Sequence, residues 1–263
     1  MPLSLYSEEF GSEDNPPLIC LHGLLGSSRN WRSVAKELSS SFHVFCLDLR
    51  NHGKSFHHGD GSIQAMTSDV LHWMEQKKVK QSVICGHSLG GKIAMKLACC
   101  EPDMVESLII VDIAPRDYPP DHHIPTLEAL LALDLESITD RKLADSQLRE
   151  KIPNWAFRQF LLTNLKVDGG KLSWQANLNT LRNEITHLSA NPLSSEDRFS
   201  KPTLLVRGGL SGYVRTEHIG LFKQYFSQFM IETVQDAGHD VHVENRAVFV
   251  SLVKSFLLAE RSF

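Results

Sequence analysis

One stretch of this 263-residue chain constrains its fold more than any other. The apolar residues 83–85 predict a short buried strand, which leads directly into Gly-His-Ser-Leu-Gly at residues 86–90. From Ile93 onward, small and apolar residues recur at helical spacing. A strand, a sharp turn and a helix form the setting in which Gly-x-Ser-x-Gly becomes a nucleophile elbow, a strained turn that exposes a serine hydroxyl. The sequence therefore predicts that Ser88 is a nucleophile rather than an incidental serine in a glycine-rich turn.

The residue types around Ser88 have a chemical explanation. Gly86 and Gly90 lack a Cβ, so neighbouring backbone can pass close to the turn. The N–H of Leu89 lies at the predicted start of the helix, where the backbone dipoles favour negative charge. We therefore expect this N–H to bind the oxyanion of a tetrahedral intermediate.

Short apolar runs alternate with helical periodicity along most of the chain. Strands are predicted at residues 3–10, 18–21, 42–47, 83–85, 107–111 and 230–234, and helices at 28–38, 66–76, 217–226 and 244–258. This order predicts an α/β fold with a doubly wound, mostly parallel sheet. Such sheets bind ligands beyond the carboxyl ends of their strands. The loops that begin at His22, Asp48 and Ser88 follow predicted strands, so we expect them to build one site.

The regular alternation is interrupted between residues 117 and 200. No convincing strand run occurs there, and leucine and aromatic residues recur at helical spacing. A segment of this length is too long for a simple connection. We predict a helical lid (cap), residues 117–200, inserted into an α/β core of residues 1–116 and 201–263. An independent second domain is the alternative that the sequence leaves open.

The overall composition narrows the classes of partner. The net charge of −4 gives no reason to expect nucleic acid or an anionic membrane as a partner. We expect no membrane span and no signal peptide, because no apolar run approaches about 20 residues and residues 1–15 are acidic. The five cysteines lie in or beside apolar runs, which favours buried free thiols in a reducing, cytoplasmic compartment. No Cys/His spacing indicates zinc, so we expect no metal and no cofactor.

Three loops resemble those of a known family. The segments at residues 22–27, 86–90 and 237–239 resemble the oxyanion loop, the elbow and the histidine loop of the α/β-hydrolase superfamily. The resemblance covers essentially the whole chain. It extends to the YbfF-type bacterial serine esterases through residues 48–55, 86–92, 112–118 and 207–214. It implies a serine hydrolase, an esterase or thioesterase, that acts on acyl esters, and it does not fix the acyl group.

The acid of the implied catalytic triad departs from the wider family pattern. Most superfamily members carry an aspartate where this chain has Ser211, and a hydroxyl cannot stabilise an imidazolium as a carboxylate does. We predict that Asp112, at the end of another strand, replaces it. An alternative role for Asp112 is to cap the following turn. The rival acids are Asp236, Asp240 and Glu217.

The resemblance implies a definite chemistry for a small-molecule acyl ester or thioester. Ser88 attacks the carbonyl carbon, His239 accepts the serine proton, and Asp112 fixes the imidazole tautomer. The chain order Ser88, Asp112, His239 is also that of the hydrolases. The N–H groups of Leu24 and Leu89 form the implied oxyanion hole.

Two other functions remain open from the sequence alone. One is a hydrolase or lyase for carbon–carbon bonds on the same scaffold, and the other is a non-catalytic ligand-binding protein of this fold. Dehalogenase and epoxide-hydrolase chemistry is disfavoured because it needs an aspartate at position 88. We expect His22 to hold its loop by hydrogen bonds. The sequence leaves open the oligomeric state and the roles of Arg50, His52 and His242.

Overall fold

Residues 3–169 and 171–259 are described by the computed structural model. Within them, a seven-stranded sheet forms the centre of the molecule. In chain order, the strands are β1 (Ser7–Phe10), β2 (Pro17–Leu21), β3 (His43–Leu47), β4 (Ser82–His87), β5 (Val105–Val111), β6 (Leu165–Asp168), β7 (Lys171–Trp174), β8 (Thr203–Gly208) and β9 (Phe229–Val234). Strands β6 and β7 form a separate hairpin. The spatial order is β1-β3-β2-β4-β5-β8-β9, in which β1 is antiparallel to β3 and the other neighbours are parallel. The prediction of an α/β fold with a mostly parallel sheet is confirmed.

The central strands are apolar along their whole length because both faces of the sheet are covered. In β2, Leu18 and Cys20 belong to one buried apolar cluster, whereas Ile19 and Leu21 belong to another. Successive side chains of a strand point to opposite faces, so one continuous apolar run supplies both clusters. Burying a leucine or isoleucine side chain completely contributes about 1.5–3 kcal/mol.

Helices cover both faces of the sheet. In chain order they are α1 (Arg32–Leu38), α2 (Ile63–Gln76), α3 (Leu89–Cys100), α4 (Ile124–Leu131), α5 (Arg141–Leu148), α6 (Trp155–Leu162), α7 (Leu178–Ser189), α8 (Ile219–Tyr225), α9 (Val241–Glu244) and α10 (Arg246–Ala259). Val70 of α2 and Leu97 of α3 pack in one apolar cluster, and Val34 of α1 and Phe249 of α10 pack in the other. Among the described helices, none combines the length and the apolar character needed to cross a membrane.

Several element boundaries differ from the predictions, and three of the differences have a clear local cause. Helix α2 begins at Ile63 rather than at residue 66, because the Ser62 hydroxyl accepts a hydrogen bond from the N–H of Ala65 at 3.2 Å. The helix predicted at residues 244–258 begins instead at Arg246, because Asn245 has the non-helical angles φ −132° and ψ 66° and separates it from the short helix α9, which was not predicted. The first strand is shorter than the predicted residues 3–10 and begins at Ser7, where pairing with β3 starts.

The segment between β5 and β8 corrects one prediction. Helices α4 to α7 lie where the leucine spacing predicts them, but the hairpin of β6 and β7 occupies residues for which no strand is predicted. Each hairpin strand has four residues, and Gly169 turns the chain between them with φ +57°. Alternation of apolar and polar residues over four positions is too short to be distinguished from helical periodicity.

The cysteines are free thiols. Cys20, Cys46 and Cys85 are buried in the sheet, which agrees with their apolar surroundings in the sequence. At the end of α3, Cys99 is half-buried and Cys100 is exposed, so the expectation that all five are buried is wrong for these two residues.

Candidate active site

The carboxyl ends of six parallel strands place their loops along one edge of the sheet. Strands β2, β3, β4, β5, β8 and β9 run in the same direction. The residues that follow these strands therefore share one edge. They include His22 after β2, Asp48 after β3, Ser88 after β4, Asp112 after β5 and His239 after β9. This is the gathering of strand-end residues that the sequence predicts.

Ser88 occupies a strained turn between β4 and α3. Its angles, φ +51° and ψ −115°, lie in a region that costs a non-glycine residue about 1–3 kcal/mol. A Cβ at Gly86 would collide with the carbonyl oxygen of Gly90, and a Cβ at Gly90 would collide with that of Leu21. The fold at this point therefore requires both glycines of the motif. The turn leaves the serine half-buried in the wall of a cavity.

Leu24 and Leu89 line a small cavity together with Ser88. Leu89 is the first residue of α3, so its N–H has no acceptor within the helix. The loop that carries Leu24 passes close to the serine, because a Cβ placed on Gly23 would lie 3.3 Å from the Cβ of Ser88. The two N–H groups predicted to form an oxyanion hole thus belong to segments that meet at the serine.

His22 holds the loop that carries Leu24. Its buried ring bonds through Nδ1 to the carbonyl oxygen of Gly23 at 2.8 Å and through Nε2 to the N–H of Leu49 at 3.0 Å. Because a carbonyl only accepts and an N–H only donates, the ring carries its proton on Nδ1 and is neutral. Burial agrees with this state and lowers the pKa of His22 to about 4. The ring therefore ties the loop after β2 to the loop after β3.

Asp112 is the carboxylate that contacts the candidate base. It is fully buried, and its Oδ2 accepts a hydrogen bond from Nδ1 of His239 at 2.8 Å. Its Oδ1 accepts the N–H of Gly208 at 3.1 Å, and the hydroxyl of Ser211 donates to Oδ2. Asp112 holds this position with φ +48°, a left-handed conformation that is uncommon for aspartate. Ser211, which stands where the wider family pattern has an acid, thus donates its hydroxyl to Asp112.

The three rival acids have other surroundings. The carboxylate of Asp236 accepts hydrogen bonds from the side-chain amide of Asn245 at 2.9 and 3.1 Å. Oδ1 of Asp240 lies 3.7 Å from Nε2 of His87, and Glu217 is exposed. Among the acids considered, Asp112 at the end of β5 is therefore the one that is hydrogen-bonded to the imidazole of His239.

Tyr213 covers the imidazole and is a residue that the sequence reasoning missed. Its ring stacks on His239 with a centroid distance of 3.8 Å and an interplanar angle of 15°. The Tyr118 hydroxyl donates to the carbonyl oxygen of Tyr213 at 3.0 Å, and the N–H of Tyr213 donates to the Ser211 hydroxyl at 3.1 Å. The loop after β8 therefore contacts both the imidazole and its carboxylate. The one sequence signal for Tyr213 is that it lies in the segment 207–214, which resembles the YbfF-type esterases.

Ser88 and His239 line one cavity, which has a volume of about 260 Å³. Leu127 of α4 and Phe157 and Phe160 of α6 form its apolar wall. Within the described residues, the hydroxyl of Ser88 makes no hydrogen bond, so the serine and the imidazole share the cavity without a direct bond between them. In ligand-free sites such bonds are often long and tighten only when substrate binds.

His122 and His123 also line this cavity, and the sequence analysis does not single them out as site residues. They lie immediately before α4, and burial lowers the pKa of His123 to about 4. No motif marks this pair. Its position in the wall depends on how residues 117–200 fold back over the sheet edge, which a single sequence does not show.

His87 and His242 surround the imidazole on the side of α9. The His87 ring lies 4.6 Å from that of His239, and its Nε2 bonds to the carbonyl oxygen of His239 at 3.0 Å. His242 stacks on Trp31 at 4.2 Å, and burial lowers its pKa to about 3. Burial also lowers the pKa of His87. Both rings line the cavity in the neutral form, and Asp240 lines it as well.

Arg50 and His52 brace the loop after β3. The guanidinium of Arg50 bonds to both carboxylate oxygens of Asp69, at 2.5 and 2.7 Å, and to the carbonyl oxygen of Asp60 at 2.8 Å. His52 is fully buried, contacts the carbonyl oxygen of Arg50 through Nδ1 at 2.9 Å, and has a pKa lowered by burial to about 3. These partners explain both residues as supports of the loop rather than as reacting groups.

Comparisons with known proteins extend over nearly the whole chain. A family model described as the alpha/beta hydrolase fold matches residues 16–246. The sn-1-specific diacylglycerol lipase ABHD11 of Mus musculus is 40% identical over 264 residues, which cover 98% of this chain and 85% of that protein. Esterase YbfF of Escherichia coli is 28% identical over 244 residues, which cover 93% of this chain and 94% of that protein.

A solved structure gives the same result in three dimensions. A marine microorganism esterase aligns with a TM-score of 0.93 and 34% identity, covering 97% of this chain and 99% of that chain. The resemblance stated from the loop motifs therefore holds along the length of the chain. The identity to the mouse lipase is higher than the identity to YbfF, so the likeness is not confined to the bacterial esterases.

Proposed function

Because this chain belongs to the α/β-hydrolase fold family, we propose that it is a serine hydrolase of carboxylic esters with the triad Ser88, His239 and Asp112. The observation that carries the proposal is the 2.8 Å hydrogen bond between Nδ1 of His239 and the buried carboxylate of Asp112. The relatives named as a lipase and as esterases support the ester class. The bonded pair counts against a binding protein with a degenerate triad.

In the proposed reaction, His239 exchanges one proton with the serine. With Nδ1 bonded to Asp112, the second ring nitrogen, Nε2, is free to accept the proton from Ser88 as its oxygen attacks the acyl carbon. The imidazolium then gives this proton to the leaving alcohol. Water repeats the sequence on the acyl-enzyme and releases the carboxylic acid. The buried carboxylate stabilises the positive ring in both steps.

The oxyanion formed in each step needs donors that are already in place. We assign this role to the backbone N–H groups of Leu24 and Leu89, on the two segments that meet at Ser88. Loss of one such donor typically lowers kcat by about 10²–10³-fold. The loop contacts of His22 hold one donor in position, and the start of α3 holds the other.

The same chemistry extends to acyl thioesters, since only the leaving group changes. An alcohol and a thiol both leave after protonation or as a stabilised anion, and the acyl-enzyme is identical. The apolar wall formed by Leu127, Phe157 and Phe160 suits an acyl chain of either substrate type. The five free thiols agree with the cytoplasmic location expected from the sequence.

We also propose that residues 117–200 act as a lid over this site. Leu127 and Phe160 from this segment line the cavity that contains Ser88. Lys92 of α3 ties the segment to the core by donating hydrogen bonds to three consecutive carbonyl oxygens, those of residues 188–190, at 2.7 to 3.0 Å. Asn164 adds a bond to the carbonyl oxygen of Leu25 at 2.7 Å.

Release of p-nitrophenol from its acetate, butyrate and octanoate esters tests the proposed function. Wild type should turn over at least one ester, and Ser88→Ala should lower kcat by at least about a thousandfold with an unchanged melting temperature. Ser68→Ala, at an exposed serine of α2, is the matched control and should keep full activity. Equal turnover by wild type and Ser88→Ala contradicts the serine mechanism. A folded wild type that cleaves no ester favours carbon–carbon bond cleavage.

A further inference from the structure

A second cavity lies beside the one that contains Ser88, and its charge is different. It has a volume of about 410 Å³, and its lining includes two arginines and three histidines, Arg116, Arg215, His122, His123 and His218. Among the described lining residues there is no aspartate or glutamate. A wall of this sign concentrates anions locally, although the net charge of the chain is −4.

The two cavities are adjacent and share part of their walls. His122, His123 and Tyr213 line both of them. The Tyr213 ring also stacks on His239, so the wall of the second cavity is in direct contact with the candidate base. One bound molecule can therefore place an ester at Ser88 and extend a second group into the cationic cavity.

Arg116 is the fixed cation of this cavity. Its guanidinium lies 3.8 Å from the ring centroid of Tyr118, and its Nη1 donates to the carbonyl oxygen of Asp117 at 2.8 Å. Its Nε is buried, so a bound oxyanion would accept from the terminal N–H groups of the guanidinium. Arg215 adds a second, exposed cation at the rim.

Resting on the proposed function, we propose that this cavity binds a carboxylate or phosphate group carried by the substrate, so that the preferred substrates are anionic esters. The planar guanidinium matches the oxygen pairs of both anions in a bidentate geometry. The rings of Tyr118 and Tyr213 supply flat walls on which the linking atoms of the substrate pack. The cavity volume falls within the range of small-molecule sites.

Three esters of matched size test this assignment. Ethyl butyrate is the neutral reference, monoethyl succinate carries a carboxylate at the acyl end, and carboxymethyl butyrate carries one at the alcohol end. For wild type, kcat/KM for at least one charged ester should exceed that for ethyl butyrate. The charged ester that is favoured identifies which end of the substrate enters the cationic cavity.

Substitution of the two arginines should remove this preference selectively. Arg116→Gln should lower the ratio of kcat/KM for the charged and neutral esters by about tenfold or more. Arg215→Gln should lower it by about two- to fivefold, because solvent screens this exposed group. Each variant is compared with its own turnover of ethyl butyrate, so a general loss of activity cancels in the ratio. Arg149→Gln, at an exposed arginine after α5, is the matched control and should leave the ratio unchanged.

Inhibition separates the two kinds of anion. Inorganic phosphate and succinate are added separately to assays of the favoured charged ester, and the anion with the lower inhibition constant identifies the group that the cavity prefers. Either preference supports the site, provided that Arg116→Gln raises the same constant. Constants that are equal in wild type and Arg116→Gln overturn the assignment.

The outcomes distinguish this inference from the proposed function. An unchanged ratio in both arginine variants, with ester turnover dependent on Ser88, overturns the anion site and leaves the hydrolase intact. Binding of monoethyl succinate to Ser88→Ala, measured by calorimetry, needs no turnover. If wild type cleaves no ester, the calorimetry decides alone. Binding of monoethyl succinate that is retained in the double variant of Ser88→Ala and Arg116→Gln overturns the anion site. Binding that is lost in the double variant supports the site independently of catalysis.

Discussion

His22 and His239 lie at the same edge of the sheet and are held in opposite ways. His22 is 1% exposed, and its two ring nitrogens bond to the backbone of Gly23 and Leu49. The side chain of His239 is 24% exposed, and its Nδ1 bonds to the carboxylate of Asp112. Burial with backbone partners fixes the neutral ring, whereas a carboxylate on one side and a cavity on the other suit a ring that gains and loses a proton.

The difference shows that position at the sheet edge is not sufficient for reactivity. Both histidines follow a strand and both contact the loops of the site. Of these two rings, only that of His239 has a carboxylate partner that would stabilise its charged form. The ring of His22 must break its bond with Leu49 to become charged. The partner of the second nitrogen therefore separates the candidate base from the structural histidine.

The largest effect is expected from removing the carboxylate of Asp112, which makes the two histidines alike. Asp112→Asn should lower kcat for p-nitrophenyl butyrate by about 10⁴-fold, because an amide favours the wrong imidazole tautomer and does not stabilise the charged ring. Asp236→Asn, in the histidine loop, is the matched control and should keep kcat within a few-fold of wild type. If Asp236→Asn shows the large loss and Asp112→Asn does not, the acid has been assigned to the wrong strand end.

The next largest effect is a loss of stability at acidic pH, which the buried neutral histidine rings should cause. Burial lowers the pKa of His22 to about 4 and that of His52 to about 3, below the unfolded value of about 6.5. The unfolded chain therefore binds more protons below pH 6.5, and the stability contributed by these neutral rings is present above pH 6.5 and lost as the pH falls. At pH 5, each ring should lower the free energy of unfolding by about 2 kcal/mol relative to pH 7.

Urea unfolding of wild type and His52→Gln at pH 7 and pH 5 checks this expectation. The decrease in unfolding free energy between the two pH values should be about 2 kcal/mol smaller in His52→Gln. His72→Gln, at a histidine of α2 whose side chain is 43% exposed, is the control and should show the same decrease as wild type. An identical decrease in wild type and His52→Gln would mean that the buried ring is protonated in the folded protein.

The fold could be predicted from sequence where local pattern and burial agree. The runs 18–21 and 108–111 are apolar because both faces of the sheet are covered, so they are visible without an alignment. The hairpin at β6 and β7 could not be seen, because four-residue strands in a polar segment have no distinctive period. The boundary at Asn245 depends on one residue leaving helical angles, which periodicity does not report.

The candidate site divides in the same way. Ser88 and His239 stand in motifs whose spacing is local, and Asp112 could be proposed from its strand end. Tyr213 and Arg116 contribute through ring stacking and a cavity wall, which arise only when separate segments meet. Sequence reasoning therefore reaches the groups that are proposed to react more readily than the groups that surround them.

The smallest expected effect tests how firmly the carboxylate must be held for His239 to differ from His22. The Ser211 hydroxyl donates to Asp112, which also accepts the N–H of Gly208. Ser211→Ala should lower kcat only about fivefold, because the charged carboxylate keeps its other donors and one hydrogen bond contributes about 1 kcal/mol. Ser211→Thr keeps a hydroxyl and should recover most of this loss. A loss as large as that of Asp112→Asn would show that the hydroxyl, and not only the carboxylate, determines which histidine at this edge can act as a base.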